Sequence, residues 1–226
     1  MCGRFTLRTS PESVASLFEG LEVPDFPPDW NIAPSRNVAT IRQVSSRNEF
    51  AFLRWGLVPF WSNDPKIGNR LINARCETVH EKPAFRAAFK KRRCLILADG
   101  FYEWQKTAGG KQPMFIQRRD GNPFGMAGLW ESNDRCGELV ETCAIITTHA
   151  NEMMAPIHDR MPVILDERDH LQWLNPDEKD LEQIRSLLMP ADEGVLMAWP
   201  VSTAVNKPTF NDPSCIERIP LDGVRG

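Results

Sequence analysis

What most limits the fold of this chain is the brevity of its regular segments. Strand-like stretches are many and short, at 38–42, 48–55, 94–98, 102–105, 114–117, 127–130, 141–148 and 162–165. A polar turn makes the first two a pair, and Gly109-Gly110 makes a hairpin of 102–105 and 114–117. Helical patterning is expected at 10–18, 83–91, 168–174 and 177–189. Ser10 serves as N-cap of the first, with Pro11 at its first helical position. Residues 23–36 hold four prolines and read as irregular loop, as does the tail from Val201 onward. Helices do not alternate regularly with strands, so the expected class is α+β with mainly antiparallel sheet rather than a doubly wound parallel sheet. With 226 residues and no repeat or linker, one domain over 1–226 is expected.

Apolar residues at 42% and charged residues at 25% fit a soluble globular protein. No apolar run approaches the roughly 18–20 residues of a membrane span, and the polar start Met-Cys-Gly-Arg-Phe-Thr is no secretory signal. A cytoplasmic, membrane-free protein is expected. The six cysteines (Cys2, Cys76, Cys94, Cys136, Cys143, Cys215) form no C-x-x-C pair. That spacing opposes both a zinc site and a disulfide framework, so neither metal nor cofactor is expected. The net charge of -3 gives no global pull on nucleic acid. Locally, Lys82, Arg86, Lys90, Lys91, Arg92 and Arg93 form a basic stretch, while 166–193 is mostly acidic. Such a stretch is either a polyanion-binding surface or a solvated helix face.

Cys2 stands out by its address. Initiator methionine is removed before a small residue, which would leave Cys2 with a thiol and a free α-amine. Both titrate near enough to neutrality to supply nucleophiles. Against an aldehyde, the amine forms an imine and the thiol closes on its carbon, giving a five-membered thiazolidine. Proximity makes that closure effectively unimolecular. A chance Met-Cys start is the competing reading. Elsewhere, 71–78 carries Asn73, Arg75 and Glu77, and 98–104 sets Glu103 between two aromatics. A carboxylate so placed tends toward a raised pKa and general acid–base work. His158 lies beside Asp159 and Arg160 at a strand entry. Each signal alone is weak, and spacing does not show that these residues meet.

Taken in order, several blocks resemble the SRAP family (SOS response-associated peptidases, also called abasic site processing proteins). They are Met-Cys-Gly-Arg-Phe at 1–5, Asn-Ile-Ala-Pro at 31–34, Trp-Gly-Leu-Val-Pro at 55–59 and Asn-Ala-Arg-Cys-Glu-Thr at 73–78. The run continues through 94–104, Lys-Gln-Pro at 111–113, Ala-Gly-Leu-Trp-Glu at 127–131, His-Asp-Arg-Met-Pro at 158–162 and Pro-Val-Ser at 200–202. The resemblance covers nearly the whole chain.

It implies a compact α+β fold round a β-sheet pseudo-barrel flanked by short helices, with a groove for single-stranded DNA. Cys2 would be the nucleophile that crosslinks to the ring-opened sugar of an abasic site. Asn73 would orient the amine and aldehyde, Glu103 would move protons, and His158 would assist ring opening at the sugar hydroxyls. Arg4, Arg75 and Arg160 would contact phosphates. Phe60 and Trp61 would stack on or wedge between bases, with core packing the competing reading for Phe60. Thr147 and the Pro34 loop would line the groove. The implied partner is single-stranded DNA containing abasic sites, met by a monomer near the bacterial nucleoid. Lyase and autopeptidase side activities follow from the same imine and thiol. The alternatives are a thiol peptidase using Cys2, His158 and Asn73, and a non-catalytic single-strand-binding module.

Overall fold

The computed structural model describes residues 2–16, 18 and 20–220. Strands dominate, in chain order: β1 (Phe5–Leu7), β2 (Asp29–Ile32), β3 (Asn37–Val44), β4 (Arg47–Trp55), β5 (Asn73–Arg75), β6 (Arg93–Ala98), β7 (Gly100–Thr107), β8 (Gly110–Arg118), β9 (Phe124–Asn133), β10 (Val140–His149), β11 (Arg160–Pro162), β12 (Ile164–Leu165) and β13 (Leu196–Pro200). Four short helices flank them: α1 (Pro11–Ala15), α2 (Arg86–Lys91), α3 (His170–Leu174) and α4 (Leu181–Ser186). The class is α+β, as expected.

The strands form two sheets. One runs β13-β8-β7-β1-β2. The other runs β11-β10-β4-β3-β6-β9-β12, and β10 also pairs β9, so β10, β4, β3, β6 and β9 close on themselves in a ring. Most pairings are antiparallel, but β10 runs parallel to both β4 and β5. Phe5 joins the sheets by packing on Trp55, ring centroids 5.1 Å apart. The Trp55 indole N–H in turn donates to the Ile72 carbonyl at 2.9 Å, which ties that contact to the residue before β5.

Backbone crowding explains two glycines. A Cβ at Gly100 would stand 2.1 Å from the Phe115 ring, so β7 starts with the one residue that lets β8 pack there. Gly56 has φ +132 and lies so close to Gly68 that a Cβ would meet the Gly68 carbonyl oxygen at 2.7 Å.

The helix expected at 10–18 is realised as α1, with Ser10 capping Ser13 and with Leu17 outside the described residues. That at 177–189 shrinks to α4, because the Asp180 side chain caps the N–H groups of Glu182 and Gln183 and so sets the start. The proline-rich 23–36 is not wholly loop, since β2 forms at its end by pairing β1. The tail after Val201 carries short 3-10 turns at Thr203–Asn206 and Pro213–Ile216. Arg93 does not belong to a basic surface. It is buried and donates to the carbonyls of Phe89 (2.8 Å), Lys90 (2.9 Å), Trp173 (2.7 Å) and Asn175. Among the described residues, no helix is long and apolar enough to cross a membrane.

Candidate active site at the meeting of the two sheets

Cys2 precedes β1, and β1 pairs antiparallel with β7 through Phe5 opposite Phe101. The pairing extends past the strand end, where the Tyr102 N–H donates to the Arg4 carbonyl at 2.9 Å. Glu103, next along β7, is thereby drawn to the level of Cys2. From the other sheet, the Asn73 amide at the start of β5 donates to the Cys2 carbonyl at 2.9 Å. The Asn73 Oδ1 is buried with no hydrogen-bond partner among the described residues.

Cys2 and Glu103 are both buried. Burial pushes the Cys2 thiol far above its ordinary range, and the Glu103 carboxylate adds to the shift. Glu103 is itself raised, first by burial, with His158 pulling the other way. The carboxyl is therefore poised to exchange protons nearer neutrality than an exposed glutamate. His158 lies between β10 and β11. Its Nδ1 accepts the Arg160 backbone N–H at 3.0 Å and also lies 2.9 Å from an Asp159 oxygen. Asp159 is 87% exposed, so the backbone donor is the more fixed of the two partners and favours the tautomer with its proton on Nε2. Four residues scattered through the sequence thus converge: Cys2 and Glu103 from one sheet, Asn73 and His158 from the other.

The expected DNA contacts divide. Arg75, Thr147 and Arg160 cluster at the end of β10, where Thr147 stands opposite both Arg75 and Pro162. Arg75 is exposed. Arg160 makes a two-pronged pair with Glu77 at 2.8 and 3.0 Å and donates to the Thr147 carbonyl at 2.6 Å. Thr147 is fully buried. Pro34 is half-buried beside the exposed Ser35. Phe60 and Trp61 are exposed at 46% and 42%, so neither packs in the core. Arg4 is turned inward, donating to Asn31 Oδ1 at 2.6 Å and the Val205 carbonyl at 2.9 Å.

Two contributors are given no role by the sequence, although Glu77 is among its polar candidates. Asn31 is fully buried, holds Arg4, and donates to the carbonyls of Val205, Lys207 and Phe210. Glu77 engages Arg160, whose guanidinium holds the Glu77 carboxyl below its usual range. Both sit in blocks that carry the resemblance, at 31–34 and 73–78, which was the available signal.

Known proteins resemble the chain along nearly its whole length. The chain is 45% identical over 222 residues to abasic site processing protein YoqW of Bacillus subtilis, covering 96% of this chain and 99% of that one. It is 33% identical to abasic site processing protein YedK of Escherichia coli, covering 91% and 94%. A solved structure from Bacteroides thetaiotaomicron superposes with a TM-score of 0.86 at 28% identity, covering 96% of this chain and all of the other. The model of the SOS response associated peptidase (SRAP) family matches residues 1–208, and the chain belongs to that family.

Proposed function

We propose that this protein senses abasic sites in single-stranded DNA and shields them by a covalent bond through Cys2. The observation that carries this reading is the convergence of Asn73 and Glu103 on Cys2 from two different sheets. The names of its relatives, abasic site processing proteins, point to the same lesion.

With Met1 removed, the Cys2 amine adds to the aldehyde of the ring-opened sugar, and the carbinolamine loses water to an imine. The thiol then adds to the imine carbon and its proton passes to nitrogen, closing a thiazolidine with one water released overall. Asn73 Oδ1 accepts an N–H of the amine while its amide holds the Cys2 carbonyl. Glu103 takes and returns the protons of addition and dehydration. His158, protonated on Nε2, donates to the sugar hydroxyl side. The imine also permits strand scission by β-elimination, a weak lyase activity that ring closure suppresses. Thiol chemistry at the protein's own N-terminus is the peptidase activity that belongs with this reading.

Arg75 and Arg160 contact phosphates, Phe60 and Trp61 take bases by stacking, and Pro34 lines the groove, whereas Thr147, expected there too, is fully buried and serves by holding the Arg160 guanidinium. Arg4 acts by positioning the strand that bears Cys2. We take the chain as one domain acting as a monomer in the cytoplasm, at the nucleoid. The thiol peptidase alternative is weaker, because burial and Glu103 both oppose the thiolate that such an enzyme needs.

The test is an intact-mass measurement on untagged protein mixed with single-stranded DNA carrying one abasic site. The expected species survives denaturation at the mass of protein without Met1 plus DNA less one water, and maps to Cys2. An adduct of equal yield in Cys2→Ala would overturn the mechanism.

A further inference from the structure

Away from Cys2, a cavity of about 470 Å³ is lined by Phe60, Ala87, Arg92, Trp130, Glu131 and Ser132, within the size range of roughly 300–1,000 Å³ typical of small-molecule sites. Its aromatic walls come from different elements: Phe60 from the segment after β4, and Trp130 from β9. The Arg42 guanidinium lies 4.3 Å from the Trp130 ring centroid and fixes the indole. At the edge, Arg92 and the buried Glu131 pair at 2.8 Å, and the Arg92 carbonyl accepts the Trp130 backbone N–H at 2.9 Å. The cavity thus offers apolar aromatic walls beside an Arg92–Glu131 ion pair whose carboxylate oxygens are already engaged.

The charge around it narrows the choice of occupant. Ala87 makes α2 one wall, and the Trp61 indole N–H donates to the Pro83 carbonyl at 3.4 Å just before that helix. Exposed Lys82 and Arg86 lie one helical turn apart, the Arg86 N–H donating to the Lys82 carbonyl at 2.9 Å. Lys90 and Lys91 share a separate hollow with Asp177 and Glu178, so Lys82 and Arg86 are the members of this basic stretch that flank Phe60 and Trp61.

We propose that this cavity holds one unpaired nucleobase of the strand flanking the lesion, stacked against Phe60 and Trp130, with its phosphate on Arg86 or Lys82. Stacking on aromatic side chains is tolerant of base identity, which suits a protein that must meet lesions in any context. The inference rests on the DNA-capture reading and deepens it, adding Trp130 as a second wall and Arg86 or Lys82 as a phosphate contact to the base-stacking role of Phe60.

The experiment uses abasic single strands that each carry one 2-aminopurine, placed at successive positions on either side of the lesion. Stacking quenches this base, so the expected result is one position quenched severalfold more than its neighbours in the wild-type adduct. Trp130→Leu should relieve that quenching, and Trp130→Phe should restore it. Arg86→Ala, at an exposed site that does not threaten folding, should lower the salt slope of strand binding by about 0.7. Uniform quenching along the strand, or quenching unchanged in Trp130→Leu, overturns the proposal. If wild-type protein forms no adduct, the capture reading fails instead, and titration with undamaged 2-aminopurine strands still reads the cavity through the same variants.

Discussion

At the scale of single residues, the site depends on two groups that burial holds in unusual states. Asn73 makes one hydrogen bond to the Cys2 carbonyl and keeps a second buried valence unfilled. A neutral hydrogen bond contributes roughly 0.5–1.5 kcal/mol, so Asn73→Ala should slow adduct formation about two- to tenfold, in single-turnover kinetics on the abasic strand. Cys94 is just as buried as Cys2 but lies on β6 away from Asn73, so Cys94→Ala should leave the adduct yield unchanged in the same assay. Glu103 supplies the pH dependence. Its carboxyl titrates above the ordinary range because it is buried. A raised carboxyl gives stability that is fully present below the unfolded-state value and is lost as pH rises through the folded-state value. Glu103→Gln removes that dependence. Thermal melts should therefore show the variant gaining on wild type as pH climbs from the acid range to neutrality, while its crosslinking rate falls and its pH–rate profile flattens.

At the scale of elements, Gly100 decides whether β7 can deliver Glu103. Gly100→Ala would drive a methyl into the Phe115 ring. Overpacking of this kind costs about 1–3 kcal/mol, to be read as a lowered melting temperature. It should also slow crosslinking, because the same strand carries Glu103. Elements with their own local signal were legible in the sequence. The β7–β8 hairpin announces itself through Gly109-Gly110, and α1 through Ser10 and Pro11. Those made by partners were not. β1, β5 and β13 are short or lie in segments without alternation, and exist because β7, β10 and β8 offer them an edge. The site followed the same division. Each candidate was a nameable residue, but their meeting depends on β1 pairing β7 in one sheet and β5 pairing β10 in the other. Arg4 and Arg93 show the opposite limit: arginine in a sequence reads as surface charge, whereas here backbone carbonyls buried in the fold recruit both.

For the whole molecule, the net charge of -3 means that attraction to DNA must be local. Affinity for an undamaged single strand should fall with salt at a log–log slope reflecting only a few phosphates, at about 0.7 per contact. Arg75→Ala should lower that slope by about one contact's worth and weaken all sequences equally, as read by fluorescence anisotropy across a salt series.

The two sheets meet where Phe5 rests on Trp55 and where the Trp55 indole holds the carbonyl beside Asn73. That arrangement works as a hinge pin with a gauge attached. Any sliding of one sheet over the other moves Cys2 relative to Asn73, while each sheet stays intact within itself. Chemistry is thereby coupled to the integrity of the packing between layers. On the proposed capture reading, a molecule loosened at that seam would keep its secondary structure yet no longer hold an amine where an aldehyde can find it.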